Sequence, residues 1–277
     1  MAVTEEASSR SESIYLDLRR KLISGYYQPN HRLKLSDLCA ENGVSVSVVR
    51  EALTRLAEQG LIQSQPNKGF FVPLYTPEEI NDLAFMRMQV ESLAVRLSIE
   101  RGNASWEASV VATHHELRLT PRVPAGVDVV ASEQWSRAHA AFHASCGAAC
   151  GSPRLIRLRQ RLYDEAEAMR QMAGLSGGRT RDVEGEHAAL AKAIIARNAD
   201  RAAELTVRHI EITAGLSVKS ALARGEGERE RRSECLTTRR ERKPRLTASS
   251  PRGQPARSSC RPRRKLCGRG PRPSRPR

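Results

Sequence analysis

The stretch between residues 36 and 73 restricts the fold most, because glycines punctuate two short helical runs and a β-prone pair there. Ser36 opens and caps the run SDLCAEN, which Gly43 stops. A second run opens at Ser45 and reaches Gln59, with Gly60 at its C-terminal stop. Two β-prone stretches follow, 61–64 and 70–73, joined by the turn Gln65-Pro66-Asn67-Lys68-Gly69. Upstream, Ile14, Leu18, Leu22 and Ile23 recur at helical spacing over 13–24 before Gly25, Pro29 and Asn30 break the run. Residues 13–76 therefore read as helix, helix, helix, hairpin.

That order is a winged helix-turn-helix. In such a unit the first helix of the pair crosses a DNA backbone and the second lays its N-terminal residues on base edges. Val44, Val49, Leu53 and Leu56 supply an inward face, while Ser45, Val46, Ser47 and Arg50 project from the first turns of the second helix. Lys68 and Gly69 at the hairpin tip can approach phosphates or the minor groove, and Lys34 with Ser36 can hold a phosphate at the first helix. His31 sits just ahead as a surface residue within reach of phosphate.

Net charge does not carry this argument. Of the formal +15, residues 224–277 supply 19 basic against 5 acidic side chains, leaving 27 basic and 26 acidic in 1–223. The excess is a property of the tail, so DNA binding rests on local motifs.

From Pro77 the apolar pattern is helical, with runs near 77–101, 105–119, 130–149, 153–173, 180–197 and 199–218. Aromatic residues make up only 4% of the chain, so the core must come from Leu, Val, Ile and Ala, which favours helices. The expected fold is mainly α: the winged unit at 13–76, a six-helix bundle at 77–218, and disorder at 1–12 and in the Arg/Pro-rich 219–277. Two readings of the tail stay open, a basic arm that adds non-specific DNA affinity and an out-of-frame translation of GC-rich DNA. No apolar run is long enough to span a bilayer and no signal segment opens the chain, so a cytoplasmic location is expected. The six cysteines form no Cys-x-x-Cys pair, which argues against a zinc ribbon.

His139 and His143 stand four apart in WSRAHAAFHASCG and share one helix face, where they can chelate one ion. His187 opens a later helix (EGEHAALAKAII) and His209 lies in the last (AAELTVRHIEI), each on or beside an inward face. Spacing alone leaves open whether these are ligands or ordinary core and surface residues. His114 and His115 read as solvent-facing.

The stretch SIYLDLRRKLISGYYQPNHRL with LSDLCAENGVSVSVVREALTRLAEQGLIQSQPNKGFFVPLYTPEE resembles the N-terminal domain of the GntR family of transcription regulators. Residues 78–215 are similar to the FCD ligand-binding domain of its FadR subfamily, of the six-helix VanR-like type. In that family Arg often stands where this chain has Ser36 and Val46, and Thr-Pro where it has Ser47-Val48, so the resemblance implies DNA binding at an altered operator. Metal-binding FCD domains use an Asp and a His four apart, a His opening a late helix and a His in the last helix. The resemblance places His143, His187 and His209 on the histidine positions and His139 on the aspartate position. Arg87, in AFMRMQVESLAVRL, matches a cavity position where it could clamp a ligand carboxylate; Glu91 also matches a family position, and an exposed Arg87–Glu91 ion pair is the alternative.

Exchanging a carboxylate for an imidazole removes one charge and favours Zn²⁺ or Ni²⁺ (or Co²⁺) over harder ions; an unmetallated polar pocket is the other reading. The resemblance implies a homodimer on an inverted repeat of double-stranded DNA, acting as a repressor, with a small carboxylate effector and no membrane partner. A metal-dependent helical-bundle enzyme is the competing class. HAAFH lacks the Glu that would follow the first His of a zinc-protease helix, and no Gly-rich phosphate loop occurs, so no catalysis is expected.

Overall fold

The computed structural model describes residues 2–122, 133–172 and 181–241, with side chains at 10–122, 133–172 and 181–224. Met1–Arg232 form one unit, and of a second, Ser233–Arg277, only the backbone through residue 241 is described. The element order is α1 (Ala2–Ile23), β1 (Arg32–Leu33), α2 (Leu35–Asn42), α3 (Val46–Glu58), β2 (Gln63–Gln65), β3 (Gly69–Phe71), α4 (Pro77–Arg101), α5 (Ala104–Leu119), α6 (Glu133–Cys146), α7 (Pro153–Met172), α8 (Val183–Ile195) and α9 (Ala199–Glu241).

The winged unit closes as its turn residues require. Gly43 takes the left-handed φ of 63° that ends α2, and Val49, Ala52, Leu53 and Leu56 of α3 are fully buried. β3 lies in the middle of an antiparallel sheet ordered β1-β3-β2, with Arg32 opposite Phe71 and Gln65 opposite Gly69. The sequence supplied no signal for β1, a two-residue strand held by the far edge of β3. Asn67 (φ 60°) and Gly69 (φ 97°) supply the positive dihedrals of the wing turn.

Three expectations need correction. Residues 2–12 are helical rather than disordered: α1 docks on α3, with Ser11 buried and Arg55 donating to Glu12 while lying over the Tyr15 ring. Residues 219–241 continue α9, as the local run of Ala, Glu, Leu and Arg allows; the tail beyond 241 lies outside the described residues. Ser36 does not cap α2. Lys34 takes the cap position, and the Ser36 hydroxyl bonds Asp37 instead.

α4 starts at a capping box: Thr76 accepts from the Glu79 amide, and the Glu79 carboxylate accepts from the Thr76 amide, with Pro77 in the first turn. Asn103 and Asp182 cap α5 and α8 from one side only, their side chains accepting from the Trp106 and Gly185 amides. The bundle core gathers Val95, Ile99, Trp106, Val110, Phe142 and Ile194, and the Trp106 indole donates to the Ser145 carbonyl at 2.9 Å.

α7 joins the two halves. Ala168 is buried within the winged unit's apolar cluster, Asp164 pairs with Arg19 of α1, and Arg161 donates to the Glu58 carbonyl at the end of α3. The opposite side of α7 carries Arg159 and Tyr163 into the bundle, so one rigid helix touches both the histidines and the base of the DNA-reading helix.

Candidate metal centre and DNA-reading face

Two turns of α6 place His139 and His143 on one face, with their Nε2 atoms 3.1 Å apart. α8 brings His187 to ring distances of 5.0 Å and 5.1 Å from them, and α9 brings His209 to 4.9 Å from both His143 and His187. One ligand atom from each of the four lies within 4.8 Å of all the others. Residues separated by seventy positions in sequence thus meet at one point.

The surroundings select the nitrogens that face inward. The Nδ1 of His139 shares a hydrogen bond of 2.9 Å with the Tyr163 hydroxyl, and the Nδ1 of His209 donates to Glu186 at 2.8 Å. Each leaves its Nε2 for another partner, the arrangement by which outer groups orient metal-ligating imidazoles. Two nitrogens bound tetrahedrally at about 2.0–2.1 Å from a zinc ion stand about 3.3 Å apart, close to the spacing of the His139–His143 pair. The Nε2 of His187 is buried without a hydrogen-bond partner. An orphaned buried ring nitrogen among three other imidazoles is a costly feature unless something binds it. The residues present therefore fit a divalent ion.

Burial pushes the pKa values of His139, His143 and His187 well below the ordinary histidine range, and neighbouring imidazoles push the same way. The neutral imidazole is the form that binds metal. Burial alone would raise Glu186, but hydrogen bonds from Arg181 and His209 outweigh it and hold the carboxylate at about 2.

Around the histidines the bundle is rich in arginine. Arg159 pairs with Glu91 at 2.6 Å and donates to the His143 carbonyl; Arg170 pairs with Glu167, and Arg181 with Glu186 at 2.6 Å. Arg87 is not an exposed partner of Glu91. Glu91 is buried and Arg87 mostly so, 3.9 Å apart, while Arg159 takes the carboxylate and Arg87 lies over the Tyr163 ring. Arg87 opens on a cavity of about 20 Å³ with Met169 and Thr213. A larger one, about 400 Å³, runs along His187 and is walled by His114, Arg118, Arg122, Trp135 and Arg181. His114 is half-buried against Phe142 and lines that cavity, contrary to the expectation of a solvent-facing residue; His115 is exposed.

On the winged unit, Ser45, Val46, Ser47 and Arg50 are all exposed at the start of α3, and Ser45 and Ser47 share a hydroxyl contact of 2.9 Å. Lys68 is exposed at the wing tip beside Gly69, and the exposed Lys34 lies 3.8 Å from Asp37. His31 stacks on Tyr27 beside β1. Sequence reasoning missed Tyr163, Glu186, Trp135 and Arg122. Glu186 adjoins His187 in EGEH and Trp135 stands four residues before His139 on α6, cues available beforehand; Tyr163 lies on α7 and Arg122 in the segment after α5.

Comparison with known proteins agrees with this architecture. Residues 10–72 match the family of bacterial regulatory proteins of the gntR family, and residues 82–212 match the FCD domain. The chain is 34% identical over 200 residues to the HTH-type transcriptional regulator BphR of Paraburkholderia xenovorans, covering 72% of this chain and 82% of that protein. It is 32% identical over 200 residues to the HTH-type transcriptional repressor GlaR of Escherichia coli, covering 71% and 90%. Among solved structures, a GntR regulator from Rhodococcus sp. RHA1 aligns with a TM-score of 0.63 at 24% identity over 76% of this chain and 98% of its own. E. coli McbR/YncC aligns with a TM-score of 0.60 at 19% identity, over 74% and 96%. Among the described residues no helix is long and apolar enough to cross a membrane. The chain belongs to the GntR family of DNA-binding transcription regulators, with an N-terminal helix-turn-helix domain and a C-terminal FCD domain, and is a regulator rather than an enzyme.

Proposed function

We propose that this regulator is a cytoplasmic homodimeric repressor whose hold on an inverted-repeat operator is controlled by a small organic acid bound at a divalent metal ion, Zn²⁺ or Ni²⁺. The observation that carries this reading is the meeting of His139, His143, His187 and His209 within 4.8 Å. The ion, when bound, supplies a positive centre and an open coordination position for an acid's carboxylate. This chain's residues do the rest: Tyr163 and Glu186 orient two of the imidazoles, and Arg87 is the candidate clamp for the same carboxylate. A repressor among the relatives, GlaR, supports the sign of the response.

On the DNA side, Ser45, Val46, Ser47 and Arg50 face base edges, and Lys34, Ser36, Lys68 and Gly69 face the backbone. One winged unit makes few base contacts, and a two-fold dimer doubles them on a palindrome. α7 is the route of coupling. A ligand that tightens the bundle around Tyr163 and Arg159 shifts the same helix that holds Arg19 and the Glu58 carbonyl, and it changes DNA affinity only as far as it prefers one arrangement.

The test is a gel shift with operator DNA selected from a random pool, using zinc-loaded wild-type protein and His187→Ala. The reading predicts a dimer-sized complex for both proteins, released by a carboxylic acid only in the wild type. Acid release that persists in His187→Ala would remove the histidine centre from the sensor.

A further inference from the structure

Five arginines approach the bundle interior around the histidines, and carboxylates pair closely with three of them: Arg159, Arg170 and Arg181. Arg122 is left over. Among the described residues no carboxylate lies within ion-pair distance of it. Its Nε is buried with no hydrogen-bond partner, and its guanidinium lies 5.2 Å over the Trp135 ring. Burial lowers its pKa, and the neighbouring charges of Arg170 and Arg181 push in the same direction. This half-buried cation is partly desolvated and repelled, and Glu186 offsets it only in part. An uncompensated charge of that kind is costly in the free protein and is relieved by an incoming anion.

The space for such an anion is the cavity of about 400 Å³ that Arg122 shares with Arg118 and His187. Arg118 is exposed at its mouth, and Trp135, which lines the same cavity beneath Arg122, stacks on His139 at 4.6 Å. The two acids on the same wall are placed differently. Asp182 is occupied by capping α8 through the Gly185 amide, and Glu184 is exposed. The cavity therefore brings the His187 imidazole, the Arg122 and Arg118 guanidinium groups and the Trp135 ring onto one shared lining.

We propose that Arg122, assisted by Arg118, forms a second anion-binding end of the effector cavity, so that the preferred effector is a small dianion with one acidic group at the histidine centre and the other at Arg122. This rests on the reading of the site as a metal-dependent acid sensor and adds the charge and shape of the acid. A charge-assisted bond that satisfies a half-buried guanidinium with an unpartnered Nε is worth on the order of tenfold or more in affinity.

The experiment is calorimetric titration of zinc-loaded full-length protein with acids matched in chain length: butyrate against succinate, and hexanoate against adipate. The wild type should bind at least one diacid about tenfold or more tightly than its matched monoacid. Arg122→Gln should erase that preference while keeping the metal content and the monoacid affinity of the wild type, and Arg118→Gln should reduce it partially. Matched acids that bind the wild type equally, or a preference that survives in Arg122→Gln, overturn the second subsite and leave the metal-dependent sensor standing. A wild type that binds none of these acids overturns both. The comparison within the wild type needs no variant, so a poorly folded Arg122→Gln would not shield the proposal.

Discussion

Replacing Tyr163 with Phe removes one hydroxyl next to the histidine centre and nothing else. That hydroxyl is the hydrogen-bond partner of the His139 Nδ1 at 2.9 Å, and both residues are buried. For the His139 Nε2 to offer a lone pair to an ion, the proton must sit on Nδ1, where the Tyr163 oxygen accepts it. Phenylalanine fills the same ring volume, so the bundle should pack as before, but the Nδ1 proton is left buried and unpartnered. Leaving a buried donor unsatisfied costs about 1–3 kcal/mol, equivalent to about ten- to a hundredfold in binding. Loss of a group that orients a metal-ligating histidine carries a similar penalty in metal affinity. The assay is an equilibrium competition between the protein and a chromogenic zinc chelator, with thermal melting of the metal-free protein as the packing control. Wild-type zinc affinity in Tyr163→Phe would refute the orienting role and the choice of Nε2 as the His139 ligand atom. A large loss of melting temperature without metal would show that the hydroxyl matters to the fold instead.

Arg50→Ala should weaken operator binding by about 1–3 kcal/mol per half-site and flatten base preference there; unchanged affinity and preference in a binding-site selection would remove Arg50 from the readout. Phe142→Ala empties a fully buried position packed against His114, His143 and His187, and should cost about 3–5 kcal/mol in urea unfolding. Glu165, beneath Gly60 at the end of the α3 segment, has its pKa raised to about 7, first by burial and then by Glu79 and Asp82 against the opposing Arg161. The folded state holds that proton more tightly than the unfolded chain, so the stabilisation is complete below the ordinary value of 4.5 and is lost as pH rises through about 7. Glu165→Gln should accordingly raise the melting temperature more at about pH 8 than at about pH 4, and an equal shift at both would contradict this.

The parts of the fold legible in the sequence are those set by local chemistry. Gly43 and Gly60 mark where α2 and α3 must stop, and Pro77 marks where α4 begins. Leu18, Val49, Leu53 and Leu56 lie at helical spacing because they face one core. β1 was not legible because two residues, Arg32 and Leu33, carry no periodicity, and the pairing with Phe70 and Phe71 is what makes them a strand. The start of α1 was missed for a related reason: Ser11 and Glu12 read as polar surface until α3 supplies Arg55 as a partner. At the site, the His139–His143 pair was visible as a four-residue spacing. The meeting with His187 and His209 depends on how α8 and α9 pack, and only family resemblance anticipated it. Trp135, four residues before His139 on the same helix, carried the same spacing cue, whereas Tyr163 and Arg122 left no trace, since each acts on a histidine or a cavity from another helix or segment.

The central claim is that four imidazoles hold an ion, and the most direct measurement is the metal-to-subunit ratio. Full-length protein without a histidine tag, and its His187→Ala variant, are dialysed against buffered zinc and then metal-free buffer before elemental analysis by plasma mass spectrometry. The account predicts about one divalent ion per subunit in the wild type and close to none in His187→Ala, since the ligands act together on one ion. A metal-free wild type, or equal metal in both proteins, would contradict it.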